Sequence, residues 1–204
     1  MPQPIEIFTL LFLMIGPFKV IGPFAKMTEH AETKLTNQIA VQATLFAVLG
    51  VLLASFLGEN ILDNFGIPVP ILALTGGLIL FLVALSNVIQ TYTPAPETEN
   101  QTIPTIRMAL HPLAFPTIVT PYGIAAVIVL MSISPGLHEK LIIGAIVIGI
   151  MVLNLIAMIL TRYIGKFLFL FLSILGSVLA VVQVALGMKI VYNQLKVLFN
   201  FTGI

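Results

Sequence analysis

Apolar residues run along this chain in blocks long enough to cross a membrane, and the polar residues gather in the joints between them. A helix rises 1.5 Å per residue, so about 20 apolar residues cover roughly 30 Å of hydrocarbon. On that rule six spans fall at approximately 5–25, 37–57, 70–89, 107–132, 140–160 and 167–192. Short joints between them suit an antiparallel helical bundle. The exception is 91–105, rich in Pro, Thr and acidic residues, which reads as a polar linker.

Two of the spans are predicted to be broken. Residues 111–123, His-Pro-Leu-Ala-Phe-Pro-Thr-Ile-Val-Thr-Pro-Tyr-Gly, set Pro112, Pro116 and Pro121 inside an apolar run. Each proline lacks a backbone N–H and crowds the carbonyl four residues earlier. In hydrocarbon this is tolerable only where protein or a water-filled cavity satisfies the freed carbonyls. Thr120-Pro121 also reads as a fresh helix start, with Thr as N-cap and Pro at the first helical position. The stretch Gly16-Pro17-Phe18-Lys19-Val20-Ile21-Gly22-Pro23 repeats the device in the first span.

The repetition extends further. Pro17 and Pro23 precede Pro116 and Pro121 by about a hundred residues, and Leu74-Thr75-Gly76-Gly77-Leu78 precedes Ile174-Leu175-Gly176-Ser177-Val178 by a similar distance. The expected architecture is therefore an all-α integral membrane protein of six transmembrane helices. Its two three-span repeats, 1–90 and 106–204, are joined by the linker 91–105, with helices 1 and 4 broken or re-entrant. An odd number of spans per repeat places the second repeat upside down, an arrangement recurrent in secondary transporters. Lys26, Lys34, Arg107, Arg162 and Lys166 fall on the linker side, against Lys140, Lys189 and Lys196 on the other. The positive-inside rule then predicts a cytoplasmic linker and both termini outside.

Composition agrees. Hydrophobic residues make up 59% of the 204 and charged residues 8%, with mean hydropathy +1.13, whereas soluble domains average about 45–50% apolar and about 25% charged. A net charge of +1 from scattered Lys and Arg offers no basic face for nucleic acid. The lack of cysteine excludes disulfides and thiol chemistry. Three histidines without metal spacing, and no acidic residue clearly within a span, leave no constellation for an enzyme, a metal or another cofactor. Met1 to Leu13 has no Lys or Arg before its apolar core, so the first run is expected to be kept as a span.

These motifs resemble the MarC/SnatA family of six-span bacterial and archaeal inner-membrane proteins (UPF0056-like), within the wider LysE-type transporter group. The resemblance covers nearly the whole chain. It rests on Pro17 to Pro23 with Phe24, Gly58-Glu59 followed by Gly66-Ile67, Gly76-Gly77, and Pro112-Leu113-Ala114-Phe115-Pro116 followed by Thr120-Pro121-Tyr122-Gly123. It implies a cytoplasmic-membrane transporter of small neutral amino acids such as glycine and alanine. The chain departs from the pattern inside the breaks. Gly16 stands where the family usually has Asn, Lys19 where it has Gly, and Thr120-Pro121-Tyr122 where it has Gly-Pro-Gly.

A half-helix end carries roughly half an elementary charge, positive at the N-terminus and negative at the C-terminus. An amino acid would set its carboxylate on the N–H groups after Thr120-Pro121, and its ammonium near carbonyls freed before Pro17 or Pro116. The expected substrate-binding residues are Gly16, Pro17, Lys19, Gly22, Pro23, Thr75, Pro116, Thr120, Pro121, Tyr122, Gly123 and Gln183. The bland alternative is that the prolines only kink helices for packing. Lys19, costly inside a membrane, would hold an anion or stand in for a coupling cation, or else snorkel or satisfy freed carbonyls. His111 would relay a coupling proton or serve as an interfacial cap. Gln42, Thr44, Asn87 and Asn154 read as interhelical hydrogen bonders, and Gly76, Gly77 and Gly176 as points of close helix approach. The reading is a small-solute transporter working by alternating access, with a small-molecule substrate, a coupling ion, the lipid bilayer and a homo-oligomer among its partners. A channel and a non-transporting scaffold are the alternatives.

Overall fold

The structure is a computed structural model that describes residues 3–92, 104–134, 136–161 and 166–199. Those residues are helical apart from short joints. Helix α1 spans Pro4–Ile15, α2 Phe18–Thr28, α3 Thr33–Asn64 and α4 Val69–Tyr92. A short tight turn at Ile106–Ala109 leads into a kinked helical segment, Leu110–Ile118, followed by α5 Pro121–Ser132, α6 Leu137–Leu160 and α7 Lys166–Leu198.

Five stretches are long and apolar enough to cross a membrane: Pro4–Thr28, Thr33–Leu62, Val69–Ile89, Leu137–Leu160 and Val178–Leu198. Ile106–Ile118 and Pro121–Ser132, bent by 62° at their junction, make a sixth when counted as one broken span. The six expected spans are thus present, two of them interrupted. Most of the linker 91–105, with Asn100, and also Arg162 lie outside the described residues.

The interruptions differ in kind. The first is confined to Gly16-Pro17, and Pro4–Thr28 still qualifies as one span. Pro23 does not end a helix, contrary to expectation. It lies exposed inside α2, which buries Val20, Ile21 and Phe24, and that packing holds the helix through the missing hydrogen bond. The second interruption is sharper. Non-helical backbone occurs at His111 (φ −135°, ψ 126°) and Phe115 (φ −129°, ψ 127°), each just before a proline, where the α region is disfavoured. Both of these X–Pro bonds are cis.

Packing follows membrane rather than soluble logic. On α3 the small residues Ala40, Ala43 and Ala47 are fully buried, while Leu45, Leu49, Leu53 and Phe56 are exposed. Small residues let helices approach where lipid supplies no hydrophobic drive between them. The halves exchange partners. The first broken span, α1 and α2, packs on α6, whereas Leu110–Ile118 and α5 pack on α3. The third spans of the two halves, α4 and α7, lie along each other.

Of the glycines expected at close helix approaches, Gly77 lies at the α4–α7 crossing and Gly76 against α5, while Gly176 does not. A Cβ on Gly187 would meet the Phe81 backbone at 2.6 Å, and one on Gly77 would meet the Ile190 side chain at 2.6 Å. Gly76 faces Ala125 of α5, and Gly176 has open space around its Cβ position. Gly77 therefore packs with Gly187.

Candidate functional site

The site forms where α1 stops. A residue before proline is driven toward extended backbone, and Gly16 adopts φ −80°, ψ 172°. A Cβ at this position would run into the Phe12 carbonyl, so the stop is built for glycine. Ending a helix strands its last carbonyls. Here three consecutive ones are taken by side chains from three elements. The Leu13 carbonyl accepts from Gln183 Nε2 of α7. The Met14 carbonyl accepts from Lys19 Nζ at 3.2 Å, and that of Ile15 from Asn154 Nδ2 of α6 at 2.8 Å. The expectation that these carbonyls await a substrate ammonium is corrected, because the protein itself fills the positions.

Lys19 does not snorkel. Half-buried, it turns to the Met14 carbonyl and also donates to the Tyr122 hydroxyl. Its Nζ lies 4.4 Å from the Tyr122 ring centroid, within the range of a cation–π contact. Lys19 follows Pro17 and Tyr122 follows Pro121, so the two proline motifs meet at this pair. They meet again at Gly123, where a Cβ would press on the Ile15 side chain and approach Thr120 Oγ1 to 2.8 Å.

At the second break Thr120 caps α5 as expected. Gly123 N–H donates to Thr120 Oγ1 at 3.1 Å and Ile124 N–H to the Thr120 carbonyl at 2.9 Å. Pro121 has no N–H to give. The half-helix end expected to cradle a carboxylate is therefore largely closed by its own cap. Helix α2, behind Pro17, starts without a side-chain cap.

A cavity of about 220 Å³ opens beside this second N-terminus, lined by Phe12, Leu13, Gly16, Phe18, Lys19, Asn87, Gly176, Leu179, Ala180 and Gln183. Asn87 lies near the Tyr92 end of α4, so the cavity sits toward the linker side. Tyr122 lines a second cavity, of about 140 Å³, whose wall also includes Met14, Gly76, Gly77, Leu130 and Gln194. Those positions lie toward the Val69 end of α4 and the Leu198 end of α7, the side of the chain termini.

Of the expected site residues, Gly16, Pro17, Lys19, Tyr122 and Gln183 come together around the first break, with Thr120, Pro121 and Gly123 forming the start of α5 behind Tyr122. Others stand apart. Thr75 is exposed and donates to the Ile71 carbonyl of its own helix at 2.9 Å. Gly22 has open space at its Cβ position, and Pro23, Pro116 and His111 are exposed. Asn154, fully buried, and Asn87 were not among the expected site residues. The available signal was polarity alone. Asn154 interrupts the apolar run Ile142–Leu160, and Asn87 stands near the end of another.

The chain was compared with known proteins. The profile of the MarC family integral membrane protein matches residues 1–199. A UPF0056 membrane protein of Methanocaldococcus jannaschii is 26% identical over 192 residues, 93% of this chain and 94% of its own length. One from Archaeoglobus fulgidus is 30% identical over 67% of this chain and 65% of its own length. The UPF0056 inner membrane protein YhgN of Escherichia coli is 28% identical over 71% and 72%. No solved structure matches the chain.

Proposed function

Because this chain belongs to the MarC family of integral membrane proteins, we propose that it is a secondary transporter carrying a small neutral amino acid, of glycine or alanine size, by alternating access around its two interrupted helices. One observation carries the reading: the Lys19–Tyr122 contact joins the two proline motifs, with Lys19 in the wall of a linker-side cavity and Tyr122 in the wall of a terminus-side one. A carrier needs cavities toward both sides that meet near the midplane, at a junction of repeats that can rock against each other. The linker-side cavity, at about 220 Å³, is below the roughly 300–1,000 Å³ of pockets for drug-sized ligands, which suits a small solute. Lys19 and the uncapped start of α2 supply positive charge for a carboxylate.

The test is counterflow in proteoliposomes preloaded with unlabelled alanine and given labelled glycine, alanine or serine outside. Saturable accumulation, abolished in Lys19→Met and retained in the exposed-site control Thr75→Val, is the expected result. Voltage-dependent current without counterflow would replace the transporter with a channel, and neither signal from folded protein would leave a scaffold.

A further inference from the structure

We infer that the linker-side cavity reads a carboxylate and not an amino group: the bound carboxylate takes the Lys19 ammonium away from the Tyr122 hydroxyl, so a small monocarboxylate binds at least as well as the amino acid of the same carbon skeleton. The inference takes its site from the transport reading above and names the group that site recognises.

Three observations carry it. First, the cavity has a cation in its wall and, among the described residues that line it, no acidic side chain. An ammonium has three donors. Two of those on Lys19 go to neutral oxygens, the Met14 carbonyl and the Tyr122 hydroxyl. A carboxylate is a stronger acceptor than either, since hydrogen bonds between charged partners are about twice as strong as neutral ones.

Second, the acceptors an ammonium would seek are occupied. The Leu13, Met14 and Ile15 carbonyls hold Gln183, Lys19 and Asn154. The amide oxygen of Asn154 is buried without a partner, but Asn154 does not line this cavity. The amide side chains that do, Gln183 and Asn87, are neutral. In so small a space an ammonium attached next to the carboxylate lies a few ångströms from Lys19, where a low dielectric makes the repulsion count.

Third, the bond to be exchanged joins a wall residue of one cavity to a wall residue of the other. Lys19 lines one cavity and Tyr122 the other. Drawing the ammonium toward a solute in this cavity loosens the side-chain hydrogen bond that joins the two proline motifs, so binding acts on the contact between them.

The probes are propionate, alanine and isopropylamine, which share a three-carbon skeleton and carry the carboxylate, both groups and the amine respectively. Equilibrium binding of radiolabelled propionate to the purified full-length protein in detergent is measured, with the other two as competitors. Propionate is expected to bind, alanine to compete no better than unlabelled propionate, and isopropylamine not to compete. Lys19→Met weakens propionate binding about tenfold or more, and Lys19→Arg largely preserves it. Tyr122→Phe keeps the ring but removes the competing hydroxyl, and tightens propionate binding about threefold. Variants are compared after size-exclusion and thermal-melting profiles match the parent.

Alanine outcompeting propionate, unchanged binding in Lys19→Met, weaker binding in Tyr122→Phe, or no propionate binding by the folded parent each overturns the inference. The transport reading fails separately. Lys19-dependent propionate binding without alanine counterflow sinks amino-acid transport and leaves this site standing, whereas alanine counterflow with propionate excluded does the reverse.

Discussion

The carbonyls of Leu13, Met14 and Ile15 leave the end of α1 at successive helical angles of about 100°, so each points toward a different neighbour. Their partners are Gln183 on α7, Lys19 on α2 and Asn154 on α6. Removing one partner strands a buried acceptor, which costs about 1–3 kcal/mol. Asn154→Leu is therefore expected to lower unfolding stability in detergent by that amount. Gln42→Leu, an exposed change on α3, stays within about 0.5 kcal/mol. Thermal melts of the two purified variants against the parent check both expectations. Polarity inside an apolar run marked Asn154 and Gln183 from the sequence, but not their shared use, because the acceptors are backbone atoms that every residue possesses. Lys19 was legible as an anomaly. Its choice of the Met14 carbonyl and Tyr122 over the membrane surface depends on the second break being folded against the first.

Local chemistry reaches furthest at the scale of the element. Thr120-Pro121 starts α5 in the structure as it does in the sequence, since an N-cap hydroxyl and a proline at the first turn need only a few neighbouring residues. Thr120→Ala should cost about 1 kcal/mol, while Thr120→Ser, which keeps the capping oxygen, should cost less, as read by chemical unfolding monitored by circular dichroism. Gly123→Val adds bulk against Ile15 at the closest approach of the two breaks. Overpacking of this kind costs about 1–3 kcal/mol, and the same unfolding measurement tests it. The opposite lesson comes from Pro23. Its effect on its own helix is local, yet α2 continues through it because Val20, Ile21 and Phe24 are buried against the neighbouring helices.

For the molecule as a whole, the contact between α4 and α7 joins the third spans of the two halves. At their crossing the Gly187 Cα faces the Phe81 backbone, which cannot rotate away as a side chain could. Gly187→Leu should therefore destabilise the protein by at least about 1–3 kcal/mol. Gly149→Ala on α6, where a Cβ meets nothing within 4 Å, should be tolerated. Relative melting temperatures of the two variants decide it. Orientation is also a property of the whole chain. We predict the linker inside and both termini outside, from Lys26, Lys34, Arg107, Arg162 and Lys166 on the linker side. A single cysteine at Asn100 should resist an impermeant thiol reagent in intact cells and react after permeabilisation; labelling in intact cells would reverse the topology.

Hydropathy alone determined that this is an integral membrane protein, how many spans it has and where two of them are interrupted. Each of those features answers to one solvent, hydrocarbon, acting on consecutive residues, and proline adds a steric term that is equally local. Only the tertiary structure decided which stranded carbonyls go to which side chains, that Gly77 meets Gly187, and that Lys19 meets Tyr122 between two cavities. These are pairings between residues far apart in sequence. They depend on how helices of similar apolar surface choose among one another, and in lipid that choice rests on close approach and a few polar contacts, too sparse a set to leave a period in the chain.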